Sequence, residues 1–299
     1  MVDFINTELK EIFTEFKEEI RGKDCICELK ELDFTDADKF PHYENLLLQK
    51  YYLVRYIAGY FTEYSTIYCD IIKKGFLRDR YRVLSLGCGC GLDLWGLIHA
   101  CEKKLGSGYK KIERYDGIDQ VKWKNRYDLK KRLNYNFIIK NVDTMDKLVV
   151  KNYNMIMFPK SIGEFSDSEF EHVKYVLEDS EFRDDKMVLI CALRKYRREM
   201  DLAHLYEIRD IFTSMHGYEV TDEINYVSQD NKSLGSIIDG IDYPREISEY
   251  VANLDCKCKN YRKQGYHCQP DCDSVLKRWP VLTRSQFAYD ILFLEKRTV

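Results

Sequence analysis

One segment, residues 83–93, constrains the fold of this chain more than any other: Val-Leu-Ser-Leu-Gly-Cys-Gly-Cys-Gly-Leu-Asp. A short apolar run leads into three glycines at alternate positions, and a helical pattern begins directly after them. Glycines in such a turn let the backbone approach a ligand closely, and the N-terminus of the following helix supplies N–H donors and a favourable dipole. The segment therefore predicts a strand, a ligand-binding turn and a helix in immediate succession.

Short apolar runs alternate with helical patterns from about residue 80 onward. Such alternation is typical of a parallel sheet that helices cover on both faces. We therefore predict an α/β fold with a seven-stranded, mostly parallel sheet whose last two strands form a reversed edge pair. The strand-like segments are 82–86, 113–119, 135–140, 153–158, 186–193, 218–227 and 286–296, and one of the helical segments between them is 122–133.

The beginning of the chain has helical periodicity. Apolar residues from Phe4 to Ile20 recur at spacings of three and four, which predicts an amphipathic helix ending near Gly22. A second helical region, rich in tyrosine, is predicted from about residue 43 to residue 74. The predicted domains are an N-terminal helical region (1–78), a ligand-binding core (79–228 and 284–299) and a cysteine-rich insertion (229–283).

Polar residues stand at the ends of the next three predicted strands. Asp119 ends the second strand, Asp143 follows the third, and Pro159 and Lys160 follow the fourth. The carboxyl ends of parallel strands meet at the edge where open sheets bind their ligands. A carboxylate at position 119 can accept both hydroxyls of a ribose, and an acid at position 143 can accept an adenine amino proton. These positions predict a nucleotide-containing ligand at this edge.

Through these motifs the chain resembles the class I S-adenosylmethionine (SAM)-dependent methyltransferases, over about residues 81–225 and the final strand. The segment LGCGCG looks like the first motif of that family, YDGIDQ like the second, NVDTMD like the third and YNMIMFPKSIGEF like the fourth. The resemblance implies a Rossmann-like fold, SAM as cofactor and methyl transfer to an N or O nucleophile. For the acceptor, a small molecule is slightly favoured over RNA or protein.

The same resemblance assigns roles to residues of the motifs. It implies that the three glycines line the methionine and ribose parts of SAM and that Asp119 holds the ribose hydroxyls. It also implies that Asp143 faces adenine and that Pro159 and Lys160 face the reactive end. The implied cofactor-binding residues are Gly87, Cys88, Gly89, Gly91, Asp93, Asp119, Gln120, Asp143, Thr144 and Pro159.

The glycine loop departs from the family pattern at Ser85, where an acid usually helps to position the methionine part of the cofactor. We expect Asp93, two residues after the last glycine, to substitute for it. A nicotinamide-dinucleotide enzyme is the rival interpretation, since it also combines a glycine turn with an acid on the second strand. Its fingerprint, G-x-G-x-x-G, requires a glycine where Leu92 stands, so the spacing favours SAM.

Methyl transfer from a sulfonium asks the protein to align the nucleophile, exclude water and, for some acceptors, remove a proton. Lys160 and Glu164 follow the fourth strand, where a nucleophile would approach, and we predict them as the catalytic residues. The alternative is that Glu164 caps or flanks the helix beginning near Ser166. Trp123 is predicted either to pack on adenine or to belong to the core between helix and sheet.

A cysteine cluster with the spacing C-x-C-x9-C-x3-C stands between the last two predicted strands. Four thiolates this close together can form one tetrahedral zinc site, and we predict a structural Zn²⁺ there. His267 is an alternative ligand. An iron–sulfur cluster and unliganded or redox-active thiols are the other interpretations. The predicted metal ligands are Cys256, Cys258, Cys268 and Cys272.

The overall charge limits the choice of partners. Forty-seven Lys and Arg against 50 Asp and Glu give a net charge of −3, so binding of nucleic acid through charge alone is disfavoured. Basic and aromatic residues interleave around the cysteines, which keeps RNA as a candidate partner. A second functional hypothesis is an inactive SAM-fold module that binds a protein or RNA partner through the cysteine-rich insertion.

The cysteine content and the N-terminus suggest a compartment. The chain has 11 cysteines, acids near its N-terminus where a signal peptide would carry basic residues, and no long apolar run after them. No stretch is long and apolar enough for a membrane span. We expect a cytoplasmic protein that acts away from membranes, and the sequence does not indicate its oligomeric state.

Overall fold

The chain is described by a computed structural model over residues 1–23, 25–32, 41–77, 80–106, 108–126, 133–145, 152–228, 240–254, 276 and 278–297. The four predicted metal ligands, Cys256, Cys258, Cys268 and Cys272, lie outside the described residues. Within the described ranges there is no cluster of His, Cys, Asp and Glu side chains suited to a metal ion. The zinc site therefore stays a prediction from spacing.

Six α-helices and seven strands make up the regular structure of the described ranges. The helices are α1 (Val2–Ile20), α2 (Leu46–Lys74), α3 (Leu92–Leu105), α4 (Asp167–Glu178), α5 (Arg198–Ser214) and α6 (Arg245–Ala252). The strands are β1 (Tyr81–Leu86), β2 (Ile112–Asp119), β3 (Tyr135–Ile139), β4 (Met155–Pro159), β5 (Lys186–Ala192), β6 (Tyr218–Val227) and β7 (Ala288–Lys296). None of these helices combines the length and the apolarity that crossing a bilayer requires.

The strands form one seven-stranded sheet in the order β3-β2-β1-β4-β5-β7-β6. The pairs β1–β2, β1–β4, β2–β3 and β4–β5 are parallel. β7 runs antiparallel to both of its neighbours, β5 and β6. The predicted α/β fold, with its mostly parallel sheet and its antiparallel C-terminal pair, is confirmed.

Burial explains the sequence pattern of the strands. β1, β4, β5 and β7 are almost entirely buried, as expected for strands that helices cover on both faces. The edge strands β3 and β6 expose many of their side chains. One apolar cluster, which includes Phe158, Phe170, Leu189, Phe212 and Leu292, fills the space between the sheet and helices α4 and α5. This core fixes the carboxyl ends of β4 and β5.

The chain forms two compact units. The first unit comprises residues 1–60 and 235–283, and the second comprises residues 61–234 and 284–299, with the whole sheet. In the first unit, the rings of Phe16 and Tyr51 stack 5.7 Å apart, and Lys50 bonds a carboxylate of α1. In the second unit, α3 approaches the C-terminal half of α2 so closely that a Cβ on Gly96 would lie 2.7 Å from the Cβ of Tyr64.

The predicted helices agree with the structure only in part. The two N-terminal helices are present as α1 and α2, with ends close to those predicted. The helix predicted over 122–133 is not seen in residues 121–126, which form bends and irregular chain, and residues 127–132 lie outside the described part. The segment follows β2 directly and contributes to the site at the end of that strand.

Candidate functional site

The three glycines after β1 adopt the backbone conformation for which glycine is needed. Their φ angles are +70° at Gly87, +56° at Gly89 and +88° at Gly91, in the left-handed region that other residues disfavour. The backbone N–H groups of Gly87 and Cys88 donate to the carbonyl of Ile118, at 2.8 and 3.1 Å. The loop is thereby bonded to the end of β2, and α3 begins directly after it.

The surroundings of the three glycines differ. A Cβ on Gly87 would clash with the side chain of Ser161, and a Cβ on Gly91 would lie 2.5 Å from the ring of Phe137. A Cβ on Gly89 would meet nothing closer than the Trp123 ring, at 3.8 Å. Gly87 and Gly91 therefore permit close packing within the protein, whereas Gly89 leaves room for an atom of a ligand.

Asp119, at the end of β2, joins that strand to the glycine loop. Its Oδ2 accepts a hydrogen bond from the backbone N–H of Gly89 at 2.7 Å, and its Oδ1 accepts one from the backbone N–H of Val121 at 2.8 Å. Each oxygen of a carboxylate can accept a second hydrogen bond. Burial raises the pKa of Asp119, and the Trp123 side chain and the charge of Arg126 partly oppose that effect. The carboxylate is held in place and retains the capacity to accept two hydroxyl groups.

Arg126 is a residue of this site that the sequence analysis missed. Its Nε and Nη2 donate to the carbonyl of Gly89 at 3.1 and 2.9 Å, and its guanidinium lies 4.8 Å from the centre of the Phe137 ring. Asp119 and Arg126 therefore hold opposite ends of the Gly89 residue. In the sequence, Arg126 belongs to a basic patch of six Lys and Arg residues between positions 122 and 132, and nothing in the pattern distinguishes it from the others.

Ser85 and Asp93, which the sequence linked, lie in one buried cluster. Asp93 is fully buried, and the hydroxyl of Tyr115 donates to both of its carboxylate oxygens at 2.9 Å. Desolvation raises the pKa of Asp93 to about 6, and the neighbouring Ser85 and Tyr115 side chains oppose this effect. Asp93 is therefore bonded inside the protein, at the first turn of α3, beneath the loop.

Three more of the predicted cofactor residues lie at the surface. Gln120 is exposed directly after Asp119, and Asp143 and Thr144 are exposed in the short 3₁₀ turn Val142–Thr144. Asn141 caps this turn by accepting a hydrogen bond from the backbone N–H of Asp143. Trp123 is buried and lies against Gly89 and Asp119, so it belongs to the wall of the loop.

Lys160, directly after β4, has an unusual backbone and a fully engaged ammonium group. It has a φ of +63°, and no other non-glycine residue of the described ranges has a positive φ. Its Nζ lies 2.8 Å from Oε2 of Glu63, which is fully buried on α2, and donates to the carbonyl of Leu193 at 2.9 Å. Glu63 also accepts from the backbone N–H of Ala288 at 3.0 Å. The ammonium group of Lys160 is therefore paired with a buried carboxylate inside the protein.

Glu164 lies in the 3₁₀ turn Ile162–Glu164, between β4 and α4. Desolvation raises its pKa to about 7; the positive charge of Arg194 opposes the shift, while the negative charges of Asp201 and Asp119 add to it. Of the alternative that Glu164 caps or flanks α4, the capping is wrong, because Ser166 and Glu169 form the capping box of that helix, whereas Glu164 does lie in the turn that flanks it. Glu164 is a carboxyl group near its midpoint at neutral pH, within the electrostatic range of Asp119.

A buried ion pair supports the turn that carries Glu164. Arg194 donates to Asp201 from Nη2 at 2.6 Å and from its backbone N–H at 2.8 Å, and Asp201 is fully buried. A Cβ on Gly163 would clash with both of these side chains. The turn therefore packs directly on the ion pair, which fixes the backbone next to Glu164.

Ser161 links the carboxyl ends of two neighbouring strands. It is buried, and its hydroxyl donates to the carbonyl of Leu86 at 2.5 Å. The ends of β1, β2 and β4 are thus bonded together through Ser161 and the glycine loop. This edge of the sheet brings together Gly89, Asp119 and Glu164, which the sequence analysis had singled out separately.

Comparison with known proteins gives structural neighbours only. No protein-family model and no curated protein sequence matches this chain. Among solved structures, the plantazolicin methyltransferase BpumL in complex with SAH is 15% identical, with a TM-score of 0.43 over 95% of this chain and 100% of that chain. Magnesium protoporphyrin IX methyltransferase (ChlM) from Synechocystis PCC 6803, with bound SAM, is 11% identical, with a TM-score of 0.38 over 80% of each chain.

The sheet itself has the arrangement that the resemblance in the sequence implies, a Rossmann-like, mostly parallel sheet with an antiparallel C-terminal pair. At these identities and TM-scores, the neighbours assign no function to this chain.

Replacement of Lys160 by Met should destabilise the protein by about 3–5 kcal/mol, because it leaves the carboxylate of Glu63 buried and unpaired. Adding Glu63→Gln in the double variant should recover part of this loss. The control is Lys186→Met, which removes a half-exposed ion pair with Glu295 and should cost less than about 1 kcal/mol. Urea unfolding measures all three. Equal losses for Lys160→Met and Lys186→Met would contradict the assignment.

The raised pKa of Glu164 predicts a pH-dependent stability. Between pH 4.5, the ordinary pKa of a glutamate, and about pH 7, the folded state keeps a proton on Glu164 that the unfolded state releases. The free energy of unfolding therefore decreases as the pH rises over this interval, and the contribution of the bound proton is lost once the pH has passed about 7. Glu164→Gln mimics the protonated form. The free energy of unfolding of this variant minus that of the wild type should therefore be larger at pH 8 than at pH 5, by less than about 3 kcal/mol.

The measurement is urea unfolding of the wild type and Glu164→Gln at the two pH values. Glu219→Gln, on the exposed face of β6, is the matched control and should show the same stability difference at both. A difference for Glu164→Gln that does not change with pH would show that the group is not perturbed as described.

Proposed function

We propose that this protein is a SAM-dependent methyltransferase whose cofactor binds at the carboxyl edge of the sheet. The observation that carries the proposal is the carboxylate of Asp119. Two backbone N–H groups hold it in place, it can still accept two hydroxyls, and it lies beside Gly89, the glycine with room for a ligand. A ribose with its two adjacent hydroxyls satisfies that requirement.

The residues around Asp119 suit the other parts of SAM. The N-terminus of α3 and the glycine loop present backbone donors for the carboxylate of the methionine part. Trp123 provides an aromatic wall, and exposed Asp143 can accept from the adenine amino group. Ser85 and Asp93 act beneath the loop, because Asp93 is bonded to Tyr115 and positions the start of α3. In this proposal the remainder of the site is lined by Gly87, Cys88, Gly91, Gln120, Thr144 and Pro159.

SAM, when bound, supplies a methyl group already activated by a sulfonium. The protein then has to orient the acceptor and, for an amine or hydroxyl, accept its proton. Glu164 suits the second task, since a base with a pKa near 7 is half ionised at neutral pH. Lys160 acts as a positioning residue, because its bonds to Glu63 and Leu193 fix the chain directly after β4. The acceptor is proposed to be a small molecule with an N or O nucleophile.

We propose the structural zinc site from the spacing of its four ligands, Cys256, Cys258, Cys268 and Cys272. Four thiolates with no vacant position would give the metal a structural role in the insertion. Metal analysis of protein purified without chelator should find about one zinc per chain, and Cys256→Ser with Cys258→Ser should abolish it. Metal-free, folded protein with full SAM affinity would remove zinc from the account.

The binding test is calorimetric titration with SAM, with NAD as control ligand. The wild type should bind SAM at one site and NAD not at all. Asp119→Asn, which replaces the charged acceptor by an amide of the same size, should lose about 10- to 150-fold in affinity, because hydrogen bonds to a charged group contribute about 1.5–3 kcal/mol. Glu219→Gln, a change of the same chemistry on an exposed strand, should bind as the wild type does.

Absence of SAM binding by the folded protein would contradict the proposal. Equal affinity of Asp119→Asn and Glu219→Gln would show that the ribose is not held at Asp119. Binding without turnover over a panel of amine and hydroxyl acceptors would favour the inactive binding module over the enzyme.

A further inference from the structure

Arg55, on α2 in the first unit, is buried, and no described acid side chain supplies its counter-charge. Its exposed fraction is 3%, and neither Nε nor Nη1 has a hydrogen-bond partner within the described part of the chain. The guanidinium group of arginine stays charged in proteins, and buried charges are otherwise paired with an acid or bound to a ligand. Among the described residues no Asp or Glu forms an ion pair with Arg55, in contrast to Arg194, which is bonded to Asp201.

The groups next to Arg55 are aromatic and neutral. The ring centres of Tyr51 and Tyr56 lie 5.4 and 5.1 Å from its Cζ. The Tyr51 hydroxyl donates to the carbonyl of Leu276 at 3.0 Å, and the Tyr243 hydroxyl donates to the carbonyl of Val54 at 2.6 Å. Burial raises the pKa of Tyr51 and of Tyr243, so neither hydroxyl supplies a negative charge at neutral pH. The tyrosine faces attract the cation, and a side-chain hydrogen bond with Arg55 opposes the rise in the pKa of Tyr51, but Nε and Nη1 of Arg55 have no hydrogen-bond partner within the described part of the chain.

A second positive charge is close to the same place. The charge of Arg278 reaches Tyr51 and, like that of Arg55, opposes the increase in its pKa. Residues 278–283 approach α2 closely, since the backbone N–H of Val281 donates to the carbonyl of Arg55 at 2.9 Å and a Cβ on Gly59 would lie 2.7 Å from the Val281 side chain. In the first unit, two arginine charges therefore lie near Tyr51, and Nε and Nη1 of Arg55 have no hydrogen-bond partner among the described residues.

We propose that Arg55 is the anchor of an anion site in the first unit, which binds the carboxylate or phosphate group of a small organic ligand. Both groups are planar or tetrahedral oxyanions that match the guanidinium donors and supply the missing negative charge. The flanking Tyr51 and Tyr56 rings provide apolar contact for an organic body. The site belongs to the first unit alone and does not depend on the proposed methyl transfer.

The test is calorimetric titration of the full-length protein at constant ionic strength with acetate, benzoate, phosphate and phenyl phosphate. At least one compound should bind saturably at one site per chain, and the pair that binds best identifies carboxylate or phosphate. Because Arg55 is enclosed, each mixture is also measured by thermal unfolding after overnight incubation, so that slow binding is detected as a rise in melting temperature.

Three variants decide whether Arg55 is responsible. Arg55→Met should lose the anion response, and Arg55→Lys, which keeps the charge but lacks the planar array of donors, should weaken it by about tenfold or more. Arg21→Met, at an exposed arginine in the same unit, should respond as the wild type does. If Arg55→Met does not fold, Arg55→Lys still carries the comparison.

The proposal is overturned if no compound binds up to about 10 mM, a limit that corresponds to about 2.7 kcal/mol of binding free energy. It is also overturned if Arg55→Lys and Arg21→Met respond equally. The anion titration uses no SAM. Failure to bind SAM would therefore not affect the anion result, and failure to bind anions would not affect the SAM titration.

Discussion

The hydrogen bond from the backbone N–H of Gly89 to the carboxylate of Asp119 organises the candidate site. It ties the loop after β1 to the end of β2, and Arg126 holds the same residue by its carbonyl. Three glycines in the left-handed region make this loop conformation accessible without strain. The loop is thus shaped by the protein before any ligand is present, which lowers the entropic cost of binding.

Buried polar groups around this loop fix the elements that carry the site. Three charged or polar pairs lie beneath the carboxyl edge of the sheet: Lys160 with Glu63, Arg194 with Asp201, and Tyr115 with Asp93. Such pairs are expensive to bury, and their worth lies in fixing geometry more than in net stability. Glu164 lies in the turn that packs on the second of these pairs, and its pKa is raised chiefly by desolvation, with a further contribution from the negative charges of Asp201 and Asp119.

The sequence predicted the features that depend on local patterns. Strand, glycine loop and helix in succession follow from residues 83–93, and the sheet follows from the alternation of apolar runs. The pairing of Lys160 with Glu63 joins residues 97 positions apart and has no local signal. Arg126 was hidden in a basic patch, and its segment was predicted as a helix because charged and apolar residues there happened to alternate with helical spacing. The capping of α4 by Ser166 rather than Glu164 depends on the fold of one turn.

The central claim is that Asp119 and the glycine loop hold the ribose of SAM, and a crystal structure of the protein with S-adenosylhomocysteine (SAH) tests it most directly. The account predicts that both ribose hydroxyls donate to the carboxylate of Asp119, with the ligand passing over Gly89 and the backbone hydrogen bonds of the loop unchanged. A ligand bound elsewhere on the chain, or bound at this edge with its ribose away from Asp119, would contradict it.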